Sequence, residues 1–148
     1  PLQAAQGHSL VVEKNSYSPT RPLILEDAKI TVTPYSRGTR YSGLLNLCSP
    51  TKTLSTNKTN RIKKAVNCFL KDPVYTKNNA ELWCGYRPCT PDGVPIISRV
   101  SPYPNLFVST GHAMLGMTLG PMSGKLIAEL VLDKLPSMRM STFSLSRF

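Results

Sequence analysis

Apolar and polar residues alternate along the first third of the chain in a way that predicts short β-strands. One strand is predicted at residues 7–13, and residues 22–33 hold two shorter extended pieces separated by a turn at Glu26-Asp27. A tight turn at Arg37-Gly38 leads into a further strand from Thr39 to Leu47. Because strands joined by such short turns run in opposite directions, the pattern predicts an antiparallel sheet. Alternation assigns to one face of the last strand the residues Tyr41, Gly43, Leu45 and Leu47.

The period of the apolar residues lengthens between residues 58 and 70, where it becomes that of a helix. The apolar stripe of this helix consists of Ile62, Val66, Phe69 and Leu70. Thr56 or Asn57 can cap its start, and Asp72-Pro73 is expected to end it. One side of the helix is therefore expected to pack against the sheet.

The second half of the chain is expected to contain a strand, a glycine-rich turn and a helix in that order. Strands are predicted from Ala80 to Tyr86 and from Asn105 to Thr110, and a helix from Pro121 to Leu132, closed by Pro136. The order of strand, glycine loop and helix is typical of an α/β layer. The residues expected on the inner side of the helix are Met122, Leu126, Ile127, Leu130 and Val131.

Together these elements predict an α+β fold in three parts. Residues 1–79 form part of an antiparallel sheet domain with one helix. Residues 80–136 hold a return strand, a turn, a loop and a terminal strand–helix piece of α/β type. Residues 137–148 have no clear period and are expected to be a surface tail.

The charge balance is strongly basic, with 18 Lys and Arg against 8 Asp and Glu for a formal charge of +10. Such a balance raises nucleic acid or an anionic surface as a partner. The cations are scattered, however, and the densest run, between Lys58 and Lys64, is expected to be the solvated face of a helix. Nucleic-acid binding is therefore not expected. A basic module that binds an acidic metabolite or peptide without catalysis is the alternative function.

Cysteine and histidine spacing predicts neither a metal site nor a hydrolytic triad. The four cysteines contain no CxxC pair and are expected to be reduced thiols. The two histidines, His8 and His112, have no serine or cysteine nucleophile at a telling spacing. No apolar run is long enough to span a membrane.

Arg87 lies in the stretch WCGYRPCTPDG, whose backbone is stiff on both sides of the arginine. Pro88 pushes Arg87 into an extended conformation, and residues 90–93 (TPDG) suit a tight turn. A guanidinium held in this way can grip a carboxylate through two parallel hydrogen bonds. From the residues alone, two other roles of Arg87 remain open: it could pair with Asp92, or it could cap a loop.

Three glycines, Gly111, Gly116 and Gly120, follow the last predicted strand. Glycine lets backbone N–H groups approach a ligand, and the start of the following helix adds a partial positive charge. Such a loop can stabilise negative charge on a phosphate or on a reduced ring, although a plain turn would look the same. The spacing is not that of the GxGxxG dinucleotide motif.

A resemblance to a known family is carried by two stretches, WCGYRPCTPDGVPIIS and NLFVSTGHAMLGMTLGPMSGKLIAEL. They resemble the C-terminal part of the D-amino acid dehydrogenase and glycine oxidase group of FAD-dependent oxidoreductases. The pattern of that group is approximately W-x-G-L-R-P-x-T-P-D-G-x-P-I-I-G, followed by N-L-(apolar)-x-x-T-G-H-x-x-L-G-x-T. Upstream, residues 6–9 (QGHS) resemble its K-G-Y-S strand start. The resemblance covers residues 1–147 and is most specific from 80 to 128.

The resemblance implies that residues 1–79 are part of the substrate-binding domain, and that residues 80–136 hold the flavin-facing loop and the C-terminal helix of the FAD domain. It also implies a flavin site and a substrate site. Arg87 would bind the substrate carboxylate, with His8 and Tyr86 in the same pocket. The residues that would line the flavin of FAD through their backbone are Gly111, His112, Leu115, Gly116, Met117, Thr118 and Leu119. The implied reaction removes a hydride from the carbon next to an amine, and water hydrolyses the resulting imine to a keto acid and ammonia.

Departures from the family pattern leave the substrate open. His8 replaces an aromatic hydroxyl, Tyr86 a leucine and Ser98 a glycine.

The sequence, which begins at Pro1, contains no N-terminal GxGxxG segment. We therefore expect a C-terminal piece of a cytoplasmic or peripheral inner-membrane enzyme, which alone neither holds FAD tightly nor turns over. The sequence does not decide whether oxygen or a quinone accepts the electrons, nor whether the protein forms a homodimer.

Overall fold

A computed structural model of the protein describes residues 2–14, 18–50, 54, 56–70 and 80–148. The elements within these residues are β1 (Gln3–Glu13), β2 (Leu23–Leu25), β3 (Ile30–Pro34), β4 (Gly38–Leu47), α1 (Thr56–Asn67), β5 (Glu81–Cys89), β6 (Ile96–Val100), β7 (Tyr103–Thr110) and α2 (Gly116–Val131), followed by 3₁₀ turns at Ser141–Phe143 and Leu145–Arg147. Antiparallel strand pairs together with two helices confirm the predicted α+β class.

Five strands form one sheet in the order β2-β3-β4-β1-β5, and β6 pairs with β7 in a separate hairpin. The connections from β2 to β3 and from β3 to β4 are tight turns at the predicted places. The N–H of Lys29 donates to the carbonyl of Glu26 at 3.2 Å, and the N–H of Tyr35 donates to the carbonyl of Gly38 at 2.7 Å. The predicted succession of strand, turn and strand is therefore confirmed for β2, β3 and β4.

The chain forms two compact units. We call residues 6–86 the sheet unit, and residues 87–148 together with the first residues up to Ala5 the helix unit. The boundary between them falls inside β5, after Tyr86. The domain bounds expected at residues 79 and 136 stay a prediction.

The core of the sheet unit lies between one face of the sheet and α1. It is made by Leu10, Val12, Ile30, Val32, Tyr41, Ile62 and Val66. The helix buries Ile62 and Val66 at the predicted spacing, but it begins at Thr56 and ends at Asn67, so Phe69 lies beyond it and is 46% exposed. The expected helix end at Asp72-Pro73 falls outside the described residues.

Strand β4 departs from the predicted alternation at Leu44. Tyr41 is buried as expected, but Leu45 and Leu47 are exposed, while Leu44 packs against the core. The backbone of Leu44 is left-handed, with φ of 56°. One residue in this conformation breaks the pleat and moves the following side chains to the other face, which a period of two cannot anticipate.

The helix unit is built on the β6–β7 hairpin and α2. The sequence pattern does not predict β6, although the buried pair Ile96-Ile97 was an available signal. Helix α2 begins at Gly116, earlier than the predicted start at Pro121, so this proline lies inside the helix. Four of the residues named for the flavin thus lie in the first turn of α2 and not in a loop before it.

Helix α2 buries a narrower stripe than its sequence predicts. Leu126 is fully buried and Ser123 nearly so, whereas Met122 and Val131 are about half exposed. Among the described elements, its main packing partners are β6 and β7. A single supporting hairpin covers one side of a helix, so the outer part of the apolar face stays uncovered.

Candidate functional site

Arg87 lies near the end of β5 and is half-buried. Pro88 follows it inside the strand, where its missing N–H is tolerated because β5 is at the edge of the sheet. Side chains alternate along a strand, so Tyr86 and Arg87 point to opposite faces of β5. The guanidinium of Arg87 has no hydrogen bond or ion pair with any residue that the structure describes. The expected contact of Arg87 with a substrate carboxylate stays a prediction.

Asp92, in the turn after β5, pairs with an arginine other than Arg87. The carboxylate of Asp92 instead accepts hydrogen bonds from Arg147, at 2.7 Å from Nε and 3.2 Å from Nη2. It also accepts the backbone N–H of Val94 at 3.1 Å, which closes the turn locally. The pairing of Arg87 with Asp92 that the sequence left open does not form.

The strand end that follows Arg87 is bonded to the segment in front of α2. The N–H of Ala113 donates to the carbonyl of Pro88 at 3.1 Å, and Cys89 forms an antiparallel bridge with His112. Gly111 has φ of 78°, and a Cβ there would lie 2.6 Å from Cγ2 of Thr90. The glycine is thus needed both for its left-handed backbone and for close approach. The structure brings Arg87's strand and the predicted flavin loop together within the helix unit.

The start of α2 presents unpartnered backbone donors. The first N–H groups of a helix have no partner within it, and the side chain of Leu115 at the cap position makes no hydrogen bond to them. A Cβ on Gly116 would meet only the Cβ of His112, at 3.7 Å. Met117 is 94% exposed. An open helix start of this kind favours an anionic or electron-rich group.

The side chain of His112 is fixed by a hydrogen bond. Its Nε2 lies 2.8 Å from the hydroxyl oxygen of Ser123 in α2, and Ser123 is 6% exposed. The N–H of Leu115 donates to the carbonyl of His112 at 2.8 Å. His112 therefore fixes the path of the chain into α2. This agrees with the expectation that it would contact the flavin through its backbone.

His8 and Tyr86 lie in the sheet unit, around Gln6. The hydroxyl of Tyr86 accepts a hydrogen bond from Nε2 of Gln6 at 3.0 Å, and Nζ of Lys58 donates to Oε1 of Gln6 at 3.1 Å. Gln6 and His8 share a face of β1 with the core residue Leu10, since they are separated by even spacings. Lys58, expected on a solvated helix face, is thus turned toward the sheet.

His8 is 3% exposed, and its Nε2 has no hydrogen-bond partner among the described residues. Burial, and to a smaller degree the positive charge of Lys58, lowers the pKa of His8. Both causes favour the neutral imidazole. Since His8 lies on the sheet face that α1 covers, its assignment to the substrate rests on the resemblance alone.

The other face of the sheet unit carries a cleft lined by two arginines that the sequence analysis assigns to no site. Its volume is about 670 Å³, and its lining includes Ser9, Arg37, Arg40 and Trp83. The guanidinium of Arg40 lies 5.2 Å from the centre of the Trp83 ring and donates to the hydroxyl of Tyr35 at 3.3 Å. Arg40 and Trp83 are far apart in sequence, so the sequence does not predict this contact.

Over the described residues, no cluster of three or more His, Cys, Asp or Glu side chains could hold a metal ion. No described helix has both the length and the apolar character needed to cross a membrane.

Comparison with known proteins gives a family. The sequence model of a family described as FAD dependent oxidoreductase matches residues 1–130. Among solved structures, glycine oxidase from Geobacillus kaustophilus is similar with a TM-score of 0.83 and 23% identity, over 100% of this chain and 40% of that chain.

Two further structures have the same fold over this region. L-amino acid deaminase from Proteus vulgaris, with its specific insertion deleted, is similar with a TM-score of 0.69 and 26% identity, over 100% of this chain and 37% of that chain. L-proline dehydrogenase from P. horikoshii is similar with a TM-score of 0.79 and 17% identity, over 100% of this chain and 40% of that chain. The chain spans less than half the length of each of these structures.

Proposed function

Because the chain belongs to the family of FAD-dependent oxidoreductases, we propose that the protein containing it oxidises the C–N bond of an amino acid or a related amine. The product is an imine, and water hydrolyses the imine of an amino acid to a keto acid and ammonia. The similar structures include a glycine oxidase and an L-amino acid deaminase, both named for amino acids. A D-amino acid is the first substrate to test, because the sequence resembles D-amino acid dehydrogenases.

The observation that carries this proposal is the hydrogen bond between Ala113 and Pro88. It ties the strand that bears Arg87 to the segment that leads into α2. Arg87, which would bind the carboxylate, and the start of α2, which would face the flavin ring, therefore lie on segments that are hydrogen-bonded to each other. Arg87 would hold the carboxylate and so orient the carbon that bears the amine.

The residues at the start of α2 fit the ring of FAD. Gly111, His112 and Leu115 would face it from the segment before the helix, and residues 116–118 in the first turn would offer backbone N–H groups. Leu119 would contribute only by its position, since its N–H donates to the carbonyl of Leu115 at 2.8 Å. FAD, when bound, accepts the hydride that leaves the amine-bearing carbon. The positive end of α2 favours the negative charge that then develops near it, and this is the contribution of the chain itself.

The test uses the full protein that contains this chain, purified with its natural flavin content. We expect a flavin absorption spectrum and turnover of D- or L-amino acids, with much weaker turnover of the corresponding amines that lack the carboxylate. Replacing Arg87 with Ala should lower kcat/KM for the amino acid by about a hundredfold to ten-thousandfold, since a charged hydrogen-bond partner of the substrate is lost.

Arg21→Ala is the matched control, because Arg21 is an exposed arginine in a loop of the sheet unit. It should leave kcat/KM unchanged. A protein without flavin and without turnover of any amino acid would contradict the proposed function. A protein with turnover in which Arg87→Ala has a near-normal KM would remove Arg87 from carboxylate binding.

A further inference from the structure

Arg147 makes a dense set of hydrogen bonds to the turn that follows Arg87's strand. Its Nε and Nη2 donate to the two carboxylate oxygens of Asp92, at 2.7 Å and 3.2 Å. Nη2 also donates to the carbonyl of Val94 at 2.6 Å, and Nη1 to the carbonyl of Ser144 at 3.0 Å. The side chain of Arg147 is only 14% exposed. A fork-shaped contact of this kind fixes orientation as well as distance.

The turn that Arg147 grips is in direct contact with the predicted flavin segment. The hydroxyl of Thr90 donates to the carbonyl of Val94 at 2.8 Å, so Val94 accepts from both Thr90 and Arg147. Thr90 is 7% exposed, and its Cγ2 lies so close to Gly111 that a Cβ there would stand only 2.6 Å away. Arg147, the turn and Gly111 therefore form a continuous chain of contacts.

The segment that carries Arg147 packs against β6 within the helix unit. Two 3₁₀ turns pack on β6. The guanidinium lies 4.4 Å from the centre of the Phe148 ring. Residues 137–148, for which the sequence predicts only a surface tail, thus include a side chain that reaches across 55 residues of sequence. Arg147 also lies beyond residues 1–130, which the family model matches.

We infer that Arg147 is a positioning residue for the proposed reaction, which locks the 90–94 turn and through it the placement of Arg87's strand end against the flavin segment. The inference rests on the proposed function. Arg147 acts on the substrate only through the turn, since its donors are engaged by Asp92, Val94 and Ser144. Its removal should therefore loosen the grip on the carboxylate more than it disturbs the fold.

The experiment compares Arg147→Met with Arg139→Met in the full protein. Arg139 is a matched control, because it lies in the same segment and its Nε only donates to the nearby Ser141 at 3.0 Å. Arg147→Met should raise KM for the amino acid by about tenfold to a hundredfold, as a displaced binding group does. The KM for the amine without a carboxylate, and the flavin spectrum, should hardly change. Arg139→Met should change none of these.

A double variant separates positioning from general destabilisation. In an Arg87→Ala background, Arg147→Met should add little to the increase in KM, because both changes act on the same carboxylate contact. Arg147→Lys, which keeps the charge without the fork, should give an intermediate KM. The inference is overturned if Arg147→Met lowers the melting temperature without changing KM, or if its effect is undiminished when Arg87 is absent.

The outcomes also distinguish this inference from the proposed function. If Arg87→Ala leaves KM unchanged, the proposed carboxylate site is wrong and the positioning role is overturned with it. If Arg87→Ala raises KM and Arg147→Met does not, only the positioning role is overturned.

Discussion

The imidazole Nε2 of His112 lies 2.8 Å from the hydroxyl of Ser123, which is buried in α2. This bond crosses from the segment before the helix to a residue well inside it. It therefore holds the backbone of the predicted flavin segment at a set distance from the helix. The proposed flavin site depends on backbone positions, so we expect a side chain that fixes them to influence the affinity for FAD.

Replacing Ser123 with Ala should weaken FAD binding by about fivefold, because a hydrogen bond of this kind contributes about 1 kcal/mol. The measurement is the dissociation constant of FAD in the full protein, from flavin fluorescence after removal of bound cofactor. Ser109→Ala, at an exposed serine of β7, serves as the control. An unchanged dissociation constant for Ser123→Ala would show that the bond does not shape the site.

Replacing Gly38 with Ala should destabilise the sheet unit by about 1–3 kcal/mol, which is a typical cost of overpacking. A Cβ at Gly38 would stand 2.3 Å from the backbone carbonyl oxygen of Val12, which cannot turn aside as a side chain can. The measurement is urea unfolding followed by circular dichroism. Gly124→Ala is the control, since nothing lies within 4 Å of a Cβ at this position in α2. That change should stabilise by about 0.5–1 kcal/mol. Equal effects of the two substitutions would contradict the packing argument.

Stability should fall with decreasing pH through the titration of His8. Burial lowers its pKa from 6.5, so the unfolded chain binds a proton that the native state resists. The contribution is complete above about pH 6.5, the value expected in the unfolded chain, and is lost as the pH falls below it.

His8→Phe should remove this part of the pH dependence while keeping a ring of similar size. The melting temperature, measured from about pH 8 to pH 5, should therefore fall more steeply for the wild type than for the variant. Parallel curves would show that His8 does not titrate on unfolding.

Acid should weaken the contact between Asp92 and Arg147. The hydrogen bonds from Arg147, followed by that from Val94, hold the pKa of Asp92 well below its ordinary value of 3.8. The contribution to stability is present above the unfolded value and is lost as the pH falls below about 4. Asp92→Asn should show a shallower acid transition than the wild type, measured by circular dichroism from about pH 5 to pH 2. A transition of the same steepness would indicate that other carboxyl groups dominate.

Much of the fold could be predicted because its signals are local. Alternation and turn residues predict β2, β3 and β4, and the helical stripe predicts α1 through Ile62 and Val66. The prediction fails where tertiary packing overrides the local preference of the sequence. Leu44 breaks the alternation of β4 with a left-handed backbone, and α2 runs through Pro121 and begins earlier than its sequence suggests.

The candidate site divides in the same way. The sequence determined by itself that Arg87 stands between an aromatic residue and a proline, that glycines precede the last helix, and that both match one family, since chemistry and spacing are written along the chain. Only the tertiary structure decided that Pro88 bonds to Ala113, that His8 is buried on the α1 side of the sheet, and that Asp92 takes Arg147 as its partner. These contacts join residues distant in sequence, and which groups meet depends on how the elements pack.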